Sequence, residues 1–118
     1  MKPFTTTFRV PVYKSRVRVV IADSQNEMLT VLPKKFQFIP EDENEGFVDP
    51  PKGGVFLLAL TFGSLSHNLI GHEIAHLTSF ILRYHEVSRS EEAFAYLNGE
   101  MHEKIYRILH QQKIQIKV

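Results

Sequence analysis

Two histidines four positions apart enclose a glutamate in the run His72-Glu73-Ile74-Ala75-His76. On a helix, residues i and i+4 lie on one face, one turn apart. Both imidazoles can therefore reach one metal ion. Glu73 need not be a ligand. From its place beside the first histidine it can overhang the open side of the metal and take a proton from a water held there. The chemistry this pattern serves is hydrolysis by a metal-activated water, with zinc the usual ion.

The flanks of the run support a helix. Leu69, Ile70, Ile74, Leu77 and Ile81 recur at helical spacing, and Ser64-Leu65-Ser66 offers a cap at its start. The competing reading is a buried amphipathic helix with merely hydrogen-bonded histidines. It must place two histidines and a glutamate on a largely apolar segment, which is costly without partners.

A catalytic zinc keeps three protein ligands and one position for water. The extended pattern H-E-x-x-H-x-x-G-x-x-H would supply a third histidine. Here Ser79 and Leu82 stand at its glycine and histidine positions, which excludes that class. The remaining class draws a glutamate from the following helix, and Glu86, Glu91 and Glu92 are candidates. Ser88-Arg89-Ser90-Glu91 reads as a capping box, with Glu91 reaching back to the backbone at Ser88. Glu92 lies about 100° further round the helix and can turn inward. A first helix running to His85 would end about 13 Å beyond His76, from where Glu92 could not easily climb back. The spacing therefore predicts a helix from about Ser66 that ends near Leu82 or Arg83, with Tyr84 to Ser88 returning as a loop.

The segment Glu92-Ala93-Phe94-Ala95 resembles the Glu-Gly-Phe-Ala ligand motif of gluzincin aminopeptidases. Ser90 to Gly99 also resembles short zincin-like proteins of bacteriophages and bacterial mobile elements. From His72 to about Tyr106 the chain thus resembles a gluzincin-type metallopeptidase domain. The resemblance implies Zn2+ held by His72, His76 and Glu92 (Glu91 as the alternative), Glu73 as the catalytic base, and a peptide or protein substrate. Thermolysin-like enzymes place an acidic residue four positions after the ligand glutamate. This chain has Tyr96 there, whose phenol either hydrogen-bonds within the site or packs. Two other functional readings stay open: a catalytically silent zincin-like binding or regulatory module, and a zinc hydrolase of non-peptide amides.

The elements that position the motif read as α+β, a zincin-like order. An N-terminal antiparallel sheet precedes the metal helix and a second packed helix. Phe8, Val10 and Val12 alternate with Arg9, Pro11 and Tyr13, and Val17, Val19 and Ile21 with Arg18, Val20 and Ala22, as half-buried antiparallel strands do. Asp23-Ser24-Gln25-Asn26 is a turn cluster. Met28 to Leu32 reads as a third strand stopped by Pro33, with Phe36, Phe38 and Ile39 continuing it. Residues 40–53 read as the main loop, acidic over Glu41 to Glu45, and either a solvated connection or a wall of the cleft. Val55 to Phe62 is a continuous apolar run suited to a strand covered on both faces. As the strand before the metal helix, it is the expected border of the cleft, to which an extended substrate adds. Phe94, Leu97, Met101, Ile105 and Ile108 mark the second helix, and 113–118 alternates as a terminal strand. The domain is 1–118, with 1–62 mainly strands and loop and 63–112 the two helices.

At 118 residues the chain has room for one domain. Its 43% hydrophobic and 23% charged content is ordinary for a globular protein. A net charge of +1 argues for neither nucleic acid nor an anionic membrane as partner. The chain has no cysteine, which removes disulfides and thiolate ligands. No apolar signal core follows Met1, and Val55–Leu60 is too short to span a bilayer. The expectation is a cytoplasmic protein and a whole gene product, with no oligomeric state implied. His67, His85, His102 and His110 read as surface groups, with His85 also weighed as a hydrogen-bond donor to the transition state.

Overall fold

The computed structural model describes residues 2–40, 46–88 and 90–117. Strands β1 (Phe4–Arg9) and β2 (Arg16–Ala22) form an antiparallel hairpin. A single-turn helix, α1 (Gln25–Met28), and a 3-10 turn over Lys34–Phe36 follow. Strands β3 (Gly46–Lys52) and β4 (Val55–Thr61) make a second hairpin. The chain then enters two long helices, α2 (His67–Tyr84) and α3 (Glu91–Gln111). No helix among the described residues is long and apolar enough to cross a membrane.

The sheet order is β1-β2-β4-β3, and β4 lies parallel to β2. The sheet is therefore mixed, not antiparallel throughout. Each hairpin is antiparallel by its turn, and the two dock with β2 and β4 running the same way. Chain between them crosses one face of the sheet, as a parallel pairing requires. Val17, Val19, Ile21, Phe56, Leu58 and Leu60 point to α2 and α3. Val20, Ala22, Leu57 and Ala59 point to the opposite face, under Met28, Leu32 and Phe36. The apolar run Val55–Thr61 is thus covered on both sides, as its composition predicts.

Several sequence expectations are corrected here, the first by this second layer. Met28 to Leu32 is not a strand. Ser24 caps α1, its hydroxyl accepting from the Glu27 amide at 3.2 Å, and the apolar residues that follow turn down onto the sheet. Phe36 likewise belongs to the 3-10 turn. The loop expected over 40–53 contains β3, whose Val48 and Phe47 face opposite sides of the sheet. Pro50 and Pro51 are tolerated because β3 is an edge strand, and its register breaks between Asp49 and Lys52. The acidic segment 41–45 lies outside the described residues. Val12, expected in a strand, stands in the β1–β2 turn at φ 75. At the far end, Lys117 makes an isolated parallel bridge with Ser66 in place of a terminal strand.

Ser66 caps α2 by accepting from the Leu69 amide at 3.0 Å. The helix ends at Tyr84, one to two residues later than the spacing predicts. Glu86 takes the left-handed conformation at φ 55. The Val87 amide donates to Leu82 O and the Glu86 amide to Arg83 O, the paired bonds of a Schellman end. Lys113 closes α3 the same way, with φ 55 and Ile114 donating to Leu109 O. The capping hydroxyl of α3 comes from Ser90, which accepts from Ala93, and not from Ser88. Glu91 and Glu92 occupy its first turn, where carboxylates favour the helix dipole. Because glutamate in the left-handed region is strained and glycine is not, Glu86→Gly is expected to raise stability by about 0.5–1 kcal/mol. A urea melt with an unchanged slope and a higher midpoint would show it; a lower midpoint would contradict it.

Candidate metal centre

The Nε2 atoms of His72 and His76 stand 3.1 Å apart, their rings at 78°. Two nitrogens bound to one tetrahedral zinc at ordinary bond lengths would stand about 3.3 Å apart. The pair is thus spaced as two ligands of one ion would be. Without an ion the contact is a hydrogen bond, one ring donating and the other accepting. Both rings are exposed. Helical geometry explains this, since they lie about 160° round from Ile74, which faces the core.

Glu73 differs from its neighbours. It is only 6% exposed, and its Oε1 lies 3.8 Å from His72 Nε2. Burial pushes its carboxyl above the usual carboxylate range, and the nearby His72 and His76 pull it partly back. The wall that buries it is the start of β3. A Cβ added at Gly46 would sit 3.0 Å from Ala59 O and 3.3 Å from Glu73 Cγ. Gly46 therefore lets the strand approach the glutamate closely. Sequence reading missed this contact because it assigned residue 46 to a loop. The signal present was Gly46-Phe47-Val48, an alternation able to pair with Leu58-Ala59-Leu60.

The strand that borders the centre is consequently β3 and not β4. Both edges of β4 are paired, with β2 and with β3, so no further strand can add to it. The outer edge of β3 carries no strand among the described residues.

Helix α3 lies on the other flank of α2. Thr78 Oγ1 donates to Asn98 Oδ1 at 3.2 Å, and His67 Nδ1 meets the Tyr106 hydroxyl at 2.9 Å. These contacts make the helices antiparallel. They place Glu92 about 9 Å beyond Asn98 along α3, toward the C-terminal end of α2. The structure thus brings together His72, Glu73 and His76, and it leaves Glu92 and Glu91 exposed on α3. Among the described residues no set of three histidine, cysteine or carboxylate side chains gathers as a metal site. Tyr96 is 53% exposed on α3. Glu86 serves the helix end.

The remaining histidines lie away from the His72–His76 pair. His85 Nε2 contacts Ser15 Oγ at 2.6 Å and its ring stacks on Tyr13, so it is clasped at the far end of α2. His102 Nδ1 meets Asn98 O at 2.8 Å. His110 is exposed in the last turn of α3, where a cation suits the dipole.

Two outcomes follow from the packing around Glu73. Its folded-state pKa is raised, so the folded chain holds the proton more tightly than the unfolded chain does. The metal-free protein should then lose stability as pH rises from the ordinary carboxylate range through the raised value. Glu73→Gln should remove that slope and melt higher than the parent at neutral pH, the gap closing in acid. Gly46→Ala, which must shift β3 or Glu73, is expected to cost about 1–3 kcal/mol by denaturant titration; a neutral effect would mean the strand gives way freely.

Comparison with protein-family models, with curated proteins and with solved structures finds no match, so the reading of this centre rests on its own residues and geometry.

Proposed function

We propose that the chain is a zinc-dependent peptide-bond hydrolase of zincin-like fold, working in the cytoplasm, with His72 and His76 as metal ligands. The observation that carries this reading is the convergence of the two Nε2 atoms at 3.1 Å beside a buried glutamate. When bound, zinc supplies the Lewis acidity that makes a water nucleophilic at neutral pH and polarises a carbonyl. Glu73 accepts the proton of the attacking water and passes it to the leaving amine. The closed wall at Gly46 keeps its carboxylate facing the histidines. The outer edge of β3 is suited to hold an extended peptide by main-chain hydrogen bonds, ending beside Glu73. Glu92 as third ligand, with Glu91 as its alternative, and Tyr96 as a helper belong to the proposal on the strength of the gluzincin resemblance alone.

Elemental analysis tests the metal first. One zinc per parent chain, lost in His72→Ala and His76→Ala, is the expected result. Loss in Glu92→Ala as well would show that the first turn of α3 comes round to the metal. A folded parent that takes up no zinc would end the hydrolase reading and leave a binding module. With zinc in place, a peptide-library digest should show turnover that Glu73→Gln lowers by about 10²–10⁴-fold.

A further inference from the structure

The turn end of the sheet, away from the histidine pair, holds a cleft of about 920 Å³. It lies between the β1–β2 turn and the β3–β4 turn at Gly53-Gly54. Five cations line it: Arg9, Lys14, Arg16, Lys35 and Lys104. No aspartate or glutamate is among its described lining residues. None of the five forms an ion pair with another described residue. The whole chain carries 14 basic and 13 acidic residues, so this is local segregation of charge and not general basicity.

Five like charges around one concavity repel one another, and the frame that holds them is stiff. The Val10 amide donates to Ser15 O and the Arg16 amide to Gly54 O, each at 3.0 Å. The Ser15–His85 contact and the Tyr13–His85 stack tie the turn to the end of α2. The ammonium groups of Lys35 and Lys104 rest over the rings of Phe36 and Phe8, at 5.2 and 5.9 Å from the centroids. Such contacts orient a cation without neutralising it. At the rim, Val12 is 80% exposed and holds a left-handed backbone, an unfavourable conformation for a β-branched residue. Backbone strain of this kind concentrates at binding and switch sites.

We propose that this cleft binds a phosphate-bearing polyanion. Arg9 and Arg16 supply planar forks that match phosphate oxygens, and the lysines supply point charges. The volume falls in the range of ligand pockets and takes a short run of phosphates, not the face of a folded protein. The backbone of a nucleic-acid strand and a free oligophosphate share this chemistry. The site is independent of the metal centre. Strand β3 runs from Gly46 beside Glu73 to Lys52 beside the cleft, a span of about 20 Å.

The test is fluorescence anisotropy of a labelled oligothymidylate with the full chain, with unlabelled tripolyphosphate and polyglutamate as competitors. Five phosphate contacts predict a log–log salt slope of about −3.5, or roughly a hundredfold weakening from 50 to 200 mM salt. Removing three cations in Lys14→Ala/Arg16→Ala/Lys35→Ala should reduce the slope to about −1.4. All three side chains are exposed, and a thermal melt checks that the variant folds. Should the triple variant not fold, Lys14→Ala and Lys35→Ala singly should each lower the slope by about 0.7. Tighter binding of the oligonucleotide names a nucleic-acid strand as the source; tighter binding of tripolyphosphate names a free oligophosphate. Absence of binding by both phosphate ligands at low salt would overturn the proposal. So would binding that survives the variants, or equal displacement by polyglutamate.

Discussion

Burial of β4 on both faces and pairing along both of its edges is the constraint on which the rest of the molecule depends. A strand so placed can carry no charge and leave no backbone group unpaired, and Val55-Phe56-Leu57-Leu58-Ala59-Leu60 meets both demands. Its two sides require two covers. One is the α2–α3 pair, which presents Ile70, Ile74, Leu77 and Ile81 from α2 and Leu97, Met101 and Ile105 from α3. The other is the short path through α1 and Phe36. The rotation of α2 about its own axis is then fixed by its apolar stripe. That rotation turns Glu73 toward the Gly46 end of β3 and leaves the histidines outside.

The helices were legible because their signals are local. Apolar spacing, the Ser66 cap and the acidic first turn of α3 all lie within a few residues of what they specify. The central strand was legible for a related reason, since six consecutive apolar residues demand cover whatever their partners are. Strand β3 was not, because a strand at an edge tolerates Pro50 and Pro51, and those residues read locally as a loop. The segment Met28–Leu32 misled in the opposite sense. Its apolar residues serve a second layer over the sheet, which only long-range packing reveals. The histidine–glutamate triplet was fully visible in the residues. The distance from Glu92 to it depends on how α3 crosses α2, and contacts such as Thr78–Asn98 set that crossing from outside the motif. Net charge hid the basic cleft, because a sum near zero carries no information about where the charges stand.

Helix α2 joins the two polar regions of the fold. His72 and His76 stand on either side of its midpoint, and His85 at its end is clasped to Ser15 and Tyr13. The helix is held at both termini, by the Ser66 hydroxyl and by the Schellman bonds around Glu86. A rod fixed in this way presents each end to solvent in a set orientation. The histidine pair and the basic cleft can therefore differ in chemistry while sharing one scaffold.

The mixed sheet also sets an order of assembly. The hairpins β1–β2 and β3–β4 close over short turns, and each can form early from neighbouring residues. The parallel match of β2 with β4 joins Arg16 to Val55 and Ala22 to Thr61, across all the intervening chain. Closing so long a loop costs entropy before any contact repays it. Docking of the two hairpins is therefore the step that carries the largest loop-closure cost. Gly46, Ala59 and Glu73 all lie on the contiguous run β3–β4–α2, so the wall beside Glu73 is built from neighbouring elements and does not wait for that docking.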